Sequence, residues 1–161
     1  MSGYGDDTGF EAWMTATGRS VPVSAPSSAV LRQRASDYLD ALYGARFTGY
    51  PTGGLDQERA WPRTGATAQG QAIASDVIPP AVVRASYAAA WHEANNAGSL
   101  SVATSAAAAV KREEVGMIKT EYFGAGASAI DDATVRISGV DGLLAPFLRS
   151  ATAREPMVLV V

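Results

Sequence analysis

The sequence predicts one mainly α-helical domain, a small helical bundle with a β-hairpin and extended termini. Two long segments repeat apolar residues at the spacing of an amphipathic helix, and a later segment changes to the two-residue period of strands. The chain has 161 residues, of which 47% are hydrophobic and 18% charged, so it can bury a core without a disulfide or a metal. We expect residues 1–148 to form the domain and residues 149–161 a C-terminal extension.

Three helices are predicted in the first hundred residues. Each starts at a residue type that caps or begins helices and stops at a glycine, and Gly18 is expected to supply a left-handed stop. Their predicted limits are, in chain order, Asp6 or Asp7 to Gly18, Ser27 or Ser28 to Gly44, and Pro79 or Pro80 to Gly98. In the second helix an apolar stripe that includes Leu31, Tyr38 and Leu42 indicates the core face. The second and third helices are therefore expected to form the core of the bundle.

Residues 45–77 carry too many glycines and prolines for regular structure, so they are predicted to form a long loop. Trp61 is the candidate aromatic anchor of this loop, and Arg63 is a candidate guanidinium fork to a carboxylate or a carbonyl. With Arg46 and Tyr50 they form the predicted subunit interface. The acids expected to pair with the loop arginines include Asp56 and Glu58.

A β-hairpin is predicted over residues 110–123, where apolar and charged residues alternate. A short helix is predicted from Val140 to Leu148. The sequence then ends on apolar, largely β-branched residues, which as a strand would dock on the sheet edge of a partner. The candidate docking residues are Lys111 and Lys119 of the hairpin and Pro156, Met157, Val158, Leu159, Val160 and Val161 of the extension.

Composition excludes several classes of chemistry. The chain has no cysteine, which excludes disulfides, thiol nucleophiles and cysteine-based metal sites. Neither lysine follows a glycine as a P-loop requires. The sole histidine, His92, could act as a general base only for a nucleophile, and the sequence has no G-x-S-x-G nucleophile motif. The paired acids are typical of helix caps and turns. We therefore predict no catalysis, no metal and no cofactor. The paired acids are Asp6-Asp7, Glu113-Glu114 and Asp131-Asp132.

The charge balance bears on possible partners. The formal net charge is −3, so the protein has no global positive field for gripping phosphates, and any nucleic-acid role must depend on a local patch. The first residues lack the basic start and apolar run of a signal peptide, and no apolar stretch approaches the roughly 20 residues of a membrane span. We expect a protein made in the cytoplasm that has no membrane partner.

Residues 43–63 interleave aromatic residues with arginines, a composition that can stack bases and neutralise phosphates of single-stranded DNA. In that interpretation Arg46, Tyr50 and Trp61 contact the strand. The same composition also suits aromatic residues that hold the loop against the helices. Residues 31–63 contain five arginines against four acids, a net charge of only +1, and this balance favours the structural interpretation.

Five short motifs carry a resemblance to a known family. They are Arg34-Ala-Ser-Asp-Tyr-Leu-Asp40, Ala60-Trp-Pro-Arg63, Ile78-Pro-Pro before an alanine-rich helix, Val115-Gly-Met-Ile118, and Val140-Asp-Gly-Leu-Leu-Ala-Pro-Phe-Leu148. Their order and spacing, over about residues 7–148, resemble small tailed-phage proteins often labelled DnaT-like single-stranded DNA-binding proteins. That family is similar in turn to the head-tail connector adaptors, or head-completion proteins, of long-tailed phages.

The resemblance implies a mainly α-helical fold with a small β element, no catalysis, and a ring of twelve copies under the portal vertex. The resulting hypothesis is a structural virion protein of the neck, at the head-tail junction. Its expected partners are further copies of itself, the portal protein and a downstream stopper, terminator or tail protein, with DNA passing through the lumen without sequence-specific binding. The alternative is a phage replication accessory protein that binds single-stranded DNA.

Overall fold

The computed structural model of the chain describes residues 3–101, 112–115, 118–121 and 134–149. These ranges contain helices α1 (Asp7–Ala16), α2 (Ser28–Tyr43), α3 (Pro80–Asn95) and α4 (Ser138–Leu144). They also contain three antiparallel strand pairs, β1 (Tyr50–Pro51) with β2 (Arg63–Thr64), β3 (Thr67–Ala68) with β4 (Gln71–Ala72), and β5 (Arg112–Val115) with β6 (Ile118–Glu121). The predicted mainly α-helical class with a small β element is confirmed.

The helix boundaries follow local chemistry that the sequence displays. Asp6 precedes α1, and its carboxylate accepts the Gly9 backbone N–H at 2.7 Å, which satisfies a free donor of the first turn. Gly18 follows the helix with a φ of +64°, as predicted for a helix stop. Ser27 lies at the cap position of α2, but its side chain makes no capping hydrogen bond. For Ser27 the predicted position is therefore right and the predicted hydrogen bond is wrong.

Helices α2 and α3 form the central pair, α1 packs against both, and α4 packs against α3. Small side chains of α3 lie within this helix packing, and among them Ala85 and Ala89 are fully buried. The hydroxyls of Ser36 on α2 and Ser86 on α3 lie 3.1 Å apart and share a hydrogen bond between two buried oxygens. The alanine-rich sequence of α3 thus allows the close approach of its neighbour.

The segment before α1 lies inside the core. Tyr4 is 2% exposed, and its backbone N–H donates to the Ser36 hydroxyl at 2.8 Å. Its own hydroxyl donates to the Asp40 carboxylate at 2.5 Å and accepts the Trp61 backbone N–H at 3.2 Å. Burial, and then the charge of Asp40, raise the pKa of Tyr4, so the hydroxyl stays protonated as the donor. One side chain therefore joins the N-terminal segment, α2 and the long loop.

Arg32 of α2 holds the same segment from another side. Its guanidinium is almost fully buried, forms an ion pair with Asp7 at 2.8 Å and donates to the Gly5 carbonyl at 2.8 Å. Moving a guanidinium out of water costs several kcal/mol, which is on the order of what its ion pair returns. A buried guanidinium is therefore stable only where further acceptors surround it. Arg32 thereby fixes residues 3–7 against α2.

The long segment between α2 and α3 contains more local structure than the predicted loop. Two-residue strands form the β1–β2 and β3–β4 pairs, and one-turn 3₁₀ helices occupy Gly44–Arg46 and Gly54–Asp56. Within these residues no helix or strand exceeds three residues, because turns at Gly49, Gly65 and Gly70 take positive φ angles.

The C-terminal half contributes the predicted hairpin and helix. In the β5–β6 pair Glu114 lies opposite Lys119, and α4 is continued by a 3₁₀ turn at Ala145–Phe147. The side chain of Lys119 lies outside the described residues, as do Lys111 and all of Pro156, Met157, Val158, Leu159, Val160 and Val161. Docking by these residues stays a prediction. None of the described helices is long and apolar enough to span a membrane.

Candidate nucleic-acid interface

A backbone pairing brings two distant arginines together. Phe47 and Leu148 form an antiparallel bridge, flanked by a hydrogen bond from the Thr48 N–H to the Phe147 carbonyl at 2.9 Å. On the other side of the bridge the Arg149 N–H donates to the Arg46 carbonyl at 2.8 Å. Arg46 and Arg149 therefore lie side by side although about a hundred residues separate them in sequence, and both side chains are exposed.

The turn at Gly49 lies beside this arginine pair. Arg63 is only 4% exposed, and its guanidinium donates to the carbonyls of Thr48 at 2.8 Å, Gly49 at 2.7 Å and Ala60 at 3.0 Å. The guanidinium of Arg149 also reaches the Gly49 carbonyl, at 3.3 Å. Two cationic groups thus share one acceptor.

Positive charge is concentrated at this turn. Burial, and then the charge of Arg149, lower the pKa of Arg63. Neither guanidinium forms an ion pair with a carboxylate in the part of the chain that the structure describes. An anion that approached the turn would meet unneutralised cations, and it would reach the exposed Arg149 first.

An exposed aromatic ring follows the turn directly. Tyr50 is 66% exposed, which is high for an aromatic residue that is held in a strand pair opposite Thr64. Arg46 is exposed as well, with its guanidinium 5.7 Å from the centroid of the Tyr43 ring. We name the exposed side chains of Arg46, Tyr50 and Arg149 the Gly49 surface. Exposed aromatic rings and exposed guanidinium groups on one surface are the combination that single-stranded nucleic acids bind.

Gly49 itself is required by the backbone. Its φ is +66°, and a Cβ atom there would lie 2.4 Å from the Thr64 carbonyl oxygen and 2.6 Å from the Ala66 nitrogen. Both are backbone atoms, which cannot rotate away. The close approach of these two chain segments therefore depends on the missing side chain.

We predict that Gly49→Ala lowers the free energy of unfolding by about 2 kcal/mol or more, since strain at positive φ adds to a backbone clash. Chemical denaturation followed by circular dichroism measures the change. Gly65→Ala is the matched control, because Gly65 has a φ of +67° but open space around it. Equal losses in the two variants would show that the clash contributes nothing.

Trp61 lies in the core and not on the Gly49 surface. It is 1% exposed and contacts Phe47 and Phe147 edge to face, with ring centroids 5.5 and 6.0 Å away. A base cannot stack on a ring whose faces are already covered. The sequence-based interpretation in which Trp61 contacts DNA is therefore wrong, whereas Arg46 and Tyr50 are exposed as that interpretation requires.

The expected pairing of loop arginines with Asp56 and Glu58 is not what the structure shows for Arg59. Arg59 forms ion pairs with Asp37 at 2.7 Å and Asp40 at 3.3 Å, both on α2. Burial alone would lower the pKa of Arg59, but the hydrogen bonds and charges of these two acids raise it. Arg59 thus ties the loop to α2.

The residues considered for catalysis remain scattered. The Nδ1 atom of His92 lies 3.1 Å from the Ser99 hydroxyl, but no acid orients the ring among the described residues, which also contain no cluster of three or more potential metal ligands. Asp6 caps α1 and Asp7 pairs with Arg32. The side chains of the other paired acids, Glu113, Glu114, Asp131 and Asp132, lie outside the described residues.

A family model described as "Putative DnaT-like ssDNA binding protein" matches residues 4–160 of the chain. The chain belongs to this family. No curated protein and no solved structure gives a significant match. The family that the five sequence motifs indicated is therefore confirmed, and the match also includes most of the C-terminal extension.

Membership of the DnaT-like family contradicts the partners predicted from the sequence. A ring that joins the portal to a stopper, terminator or tail protein must let DNA slide through its lumen, whereas the family is described by binding to single-stranded DNA. Those partners came from the likeness to connector adaptors, and the net charge of −3, which hides the local concentration of arginine at Gly49, agreed with them.

Sequence reasoning missed Arg149 as a site residue. It lies next to Arg46 only because the strand-like segment after α4 returns to the start of the long loop. No local pattern signals such a contact. The sequence shows only that Arg149 directly follows the last motif of the DnaT-like resemblance, which ends at Leu148.

Proposed function

We propose that this protein binds single-stranded DNA, without catalysing a reaction on it, through the Gly49 surface. The observation that carries the proposal is the convergence of the Arg63 and Arg149 guanidiniums on the carbonyl of Gly49, which precedes the exposed Tyr50 in the chain. Membership of a family described as DnaT-like and ssDNA-binding supports the same class of ligand.

Each residue of the surface has a distinct role in the proposal. The Tyr50 ring stacks on a base, an interaction worth about 1–3 kcal/mol and open to every base because all have a π face. Arg46 and Arg149 contact phosphates, since both are exposed at the edge of the turn. Arg63 does not reach the strand, because its donors hold three backbone carbonyls. Arg63 is a positioning residue that keeps the turn rigid and adds positive potential behind it.

The overall acidity of the chain shapes how such binding behaves. With a net charge of −3 the protein attracts DNA only at short range, so affinity depends on a few contacts and not on a broad field. Each phosphate contact on a single strand adds about 0.7 to the slope of log affinity against log salt. Two such contacts predict a shallow slope, of about 1.4 from this surface.

Fluorescence anisotropy with labelled oligothymidine at several salt concentrations tests the proposal. We expect Tyr50→Ala to weaken binding about tenfold with an unchanged salt slope, because stacking involves no counterion release. The double variant Arg46→Gln/Arg149→Gln should weaken binding and lower the slope by about 1.4. Tyr50→Phe, which keeps the ring, should bind like the original protein.

Two controls make the outcome specific. Arg136→Gln removes the same charge at the opposite end of α4 from Arg149, and Leu55→Ala removes a fully exposed apolar side chain from the same loop. Both should leave affinity unchanged. The proposal fails if the original protein binds no oligonucleotide at low salt, or if the controls reduce binding as much as the Gly49 surface variants do.

A further inference from the structure

A second arginine outside the Gly49 surface is held in an unusual setting. The Arg19 guanidinium carbon lies 4.8 Å from the centroid of the Trp13 ring and 4.6 Å from that of the Trp91 ring. Trp13 belongs to α1 and Trp91 to α3, so the guanidinium contacts indoles from two helices. Because two aromatic faces attract it, this guanidinium is held more firmly than that of an ordinary surface arginine.

Both rings are fixed by other contacts. The Trp13 ring packs against Phe10 and Tyr87, at centroid distances of 6.3 and 6.2 Å. The Trp91 indole N–H donates to the Ser20 carbonyl at 2.8 Å, next to Arg19 in the chain. The backbone of Arg19 is fixed as well, because its N–H donates to the Met14 carbonyl at 2.9 Å after the turn at Gly18. The position of the guanidinium is thus set before any ligand binds.

The donors of this guanidinium remain available. Arg19 is exposed, and within the described ranges its side chain forms no hydrogen bond and no ion pair. Arginine has five N–H donors in one plane, and stacking on indoles occupies the face of that plane and leaves its edge open. A planar edge with parallel donors matches two oxygens of a phosphate.

We propose that Arg19, held by Trp13 and Trp91, is a second phosphate-contacting residue for single-stranded DNA, separate from the Gly49 surface. The inference rests on the proposed function, which supplies the strand. Preorganisation gives the contact its value, since little side-chain entropy is lost on binding. The partly exposed indoles beside the guanidinium also offer apolar edges to the sugar or base that accompanies each phosphate.

The test compares Arg19→Gln and Arg19→Lys in oligothymidine titrations at several salt concentrations. We expect Arg19→Gln to weaken binding about tenfold and to lower the salt slope by about 0.7, the value for one phosphate contact. Arg19→Lys keeps the charge but not the planar pair of donors, so it should weaken binding while keeping the slope. Arg136→Gln is again the charge-matched control.

A spectroscopic measurement locates the contact independently of affinity. In ¹H–¹⁵N correlation spectra of the original protein, oligothymidine should shift the indole N–H signals of Trp13 and Trp91. The signal of Trp61, which is 1% exposed, should stay in place.

The outcomes separate the two proposals. If Tyr50→Ala weakens binding while both Arg19 variants behave like Arg136→Gln and the indole signals do not move, the Arg19 inference is overturned and the Gly49 surface stands. If the Arg19 variants weaken binding and the Gly49 surface variants do not, the Arg19 site stands and the first surface is wrong. If the original protein binds no oligothymidine, both proposals are overturned.

Discussion

Trp61→Ala is expected to lower the free energy of unfolding by about 3–5 kcal/mol, the range for a large aromatic removed from a core. The indole is 1% exposed and packs against Phe47 and Phe147, so its loss opens a cavity between the long loop and the segment after α4. Urea denaturation followed by far-ultraviolet circular dichroism measures the change.

The control for this variant comes from the same loop. Tyr50→Ala removes an aromatic side chain that is 66% exposed, and should change stability by no more than about 0.5 kcal/mol. Comparable losses in the two variants would mean that the Trp61 ring does not anchor the loop. The pair also separates folding from binding, since we expect Trp61→Ala to act on stability and Tyr50→Ala on DNA affinity.

Arg63→Ala is expected to cost about 3 kcal/mol of stability and to remove most DNA binding. The substitution removes three hydrogen bonds at once and leaves the Gly49 carbonyl only its contact with Arg149, and each partly buried carbonyl that loses its donor costs on the order of 1 kcal/mol. The turn that presents Tyr50 should then lose its fixed geometry. Denaturation and oligothymidine titration of the same samples test both effects.

Two further variants show whether Arg63 acts through shape or through charge. Arg63→Lys keeps the charge but cannot hold three carbonyls in one plane, so it should recover little of the stability. Arg46→Ala removes an exposed arginine close by and should leave stability unchanged. Full recovery of stability in Arg63→Lys would contradict the role of the planar fork.

The helices were predictable from the sequence because their signals are local. Apolar spacing, the Asp6 cap and the prolines at the start of α3 each act within a few residues of the boundary that they set. The hairpin at β5–β6 was predictable for the same reason, since alternation is read over neighbouring positions. Local physics thus accounts for the elements but not for their arrangement.

The candidate site was harder to predict because its contacts are distant in sequence. Trp61 and Tyr50 lie in one loop with similar neighbours, and only the packed fold shows that one ring is covered and the other open. Arg149 contacts Gly49, which lies about a hundred positions away in the sequence. Arg19 contacts Trp91, which lies about seventy positions away. Composition alone therefore could not separate a buried anchor from a stacking platform.

Tyr4 has a consequence for the order in which the chain folds. It precedes its partners Ser36, Asp40 and Trp61 in the chain, so it is synthesised before all three of them. Contacts across such separations close slowly, because the intervening chain must lose its freedom first. Tyr4 can therefore complete its contacts only after the long loop has been synthesised. The same contact that completes the core also delays its completion.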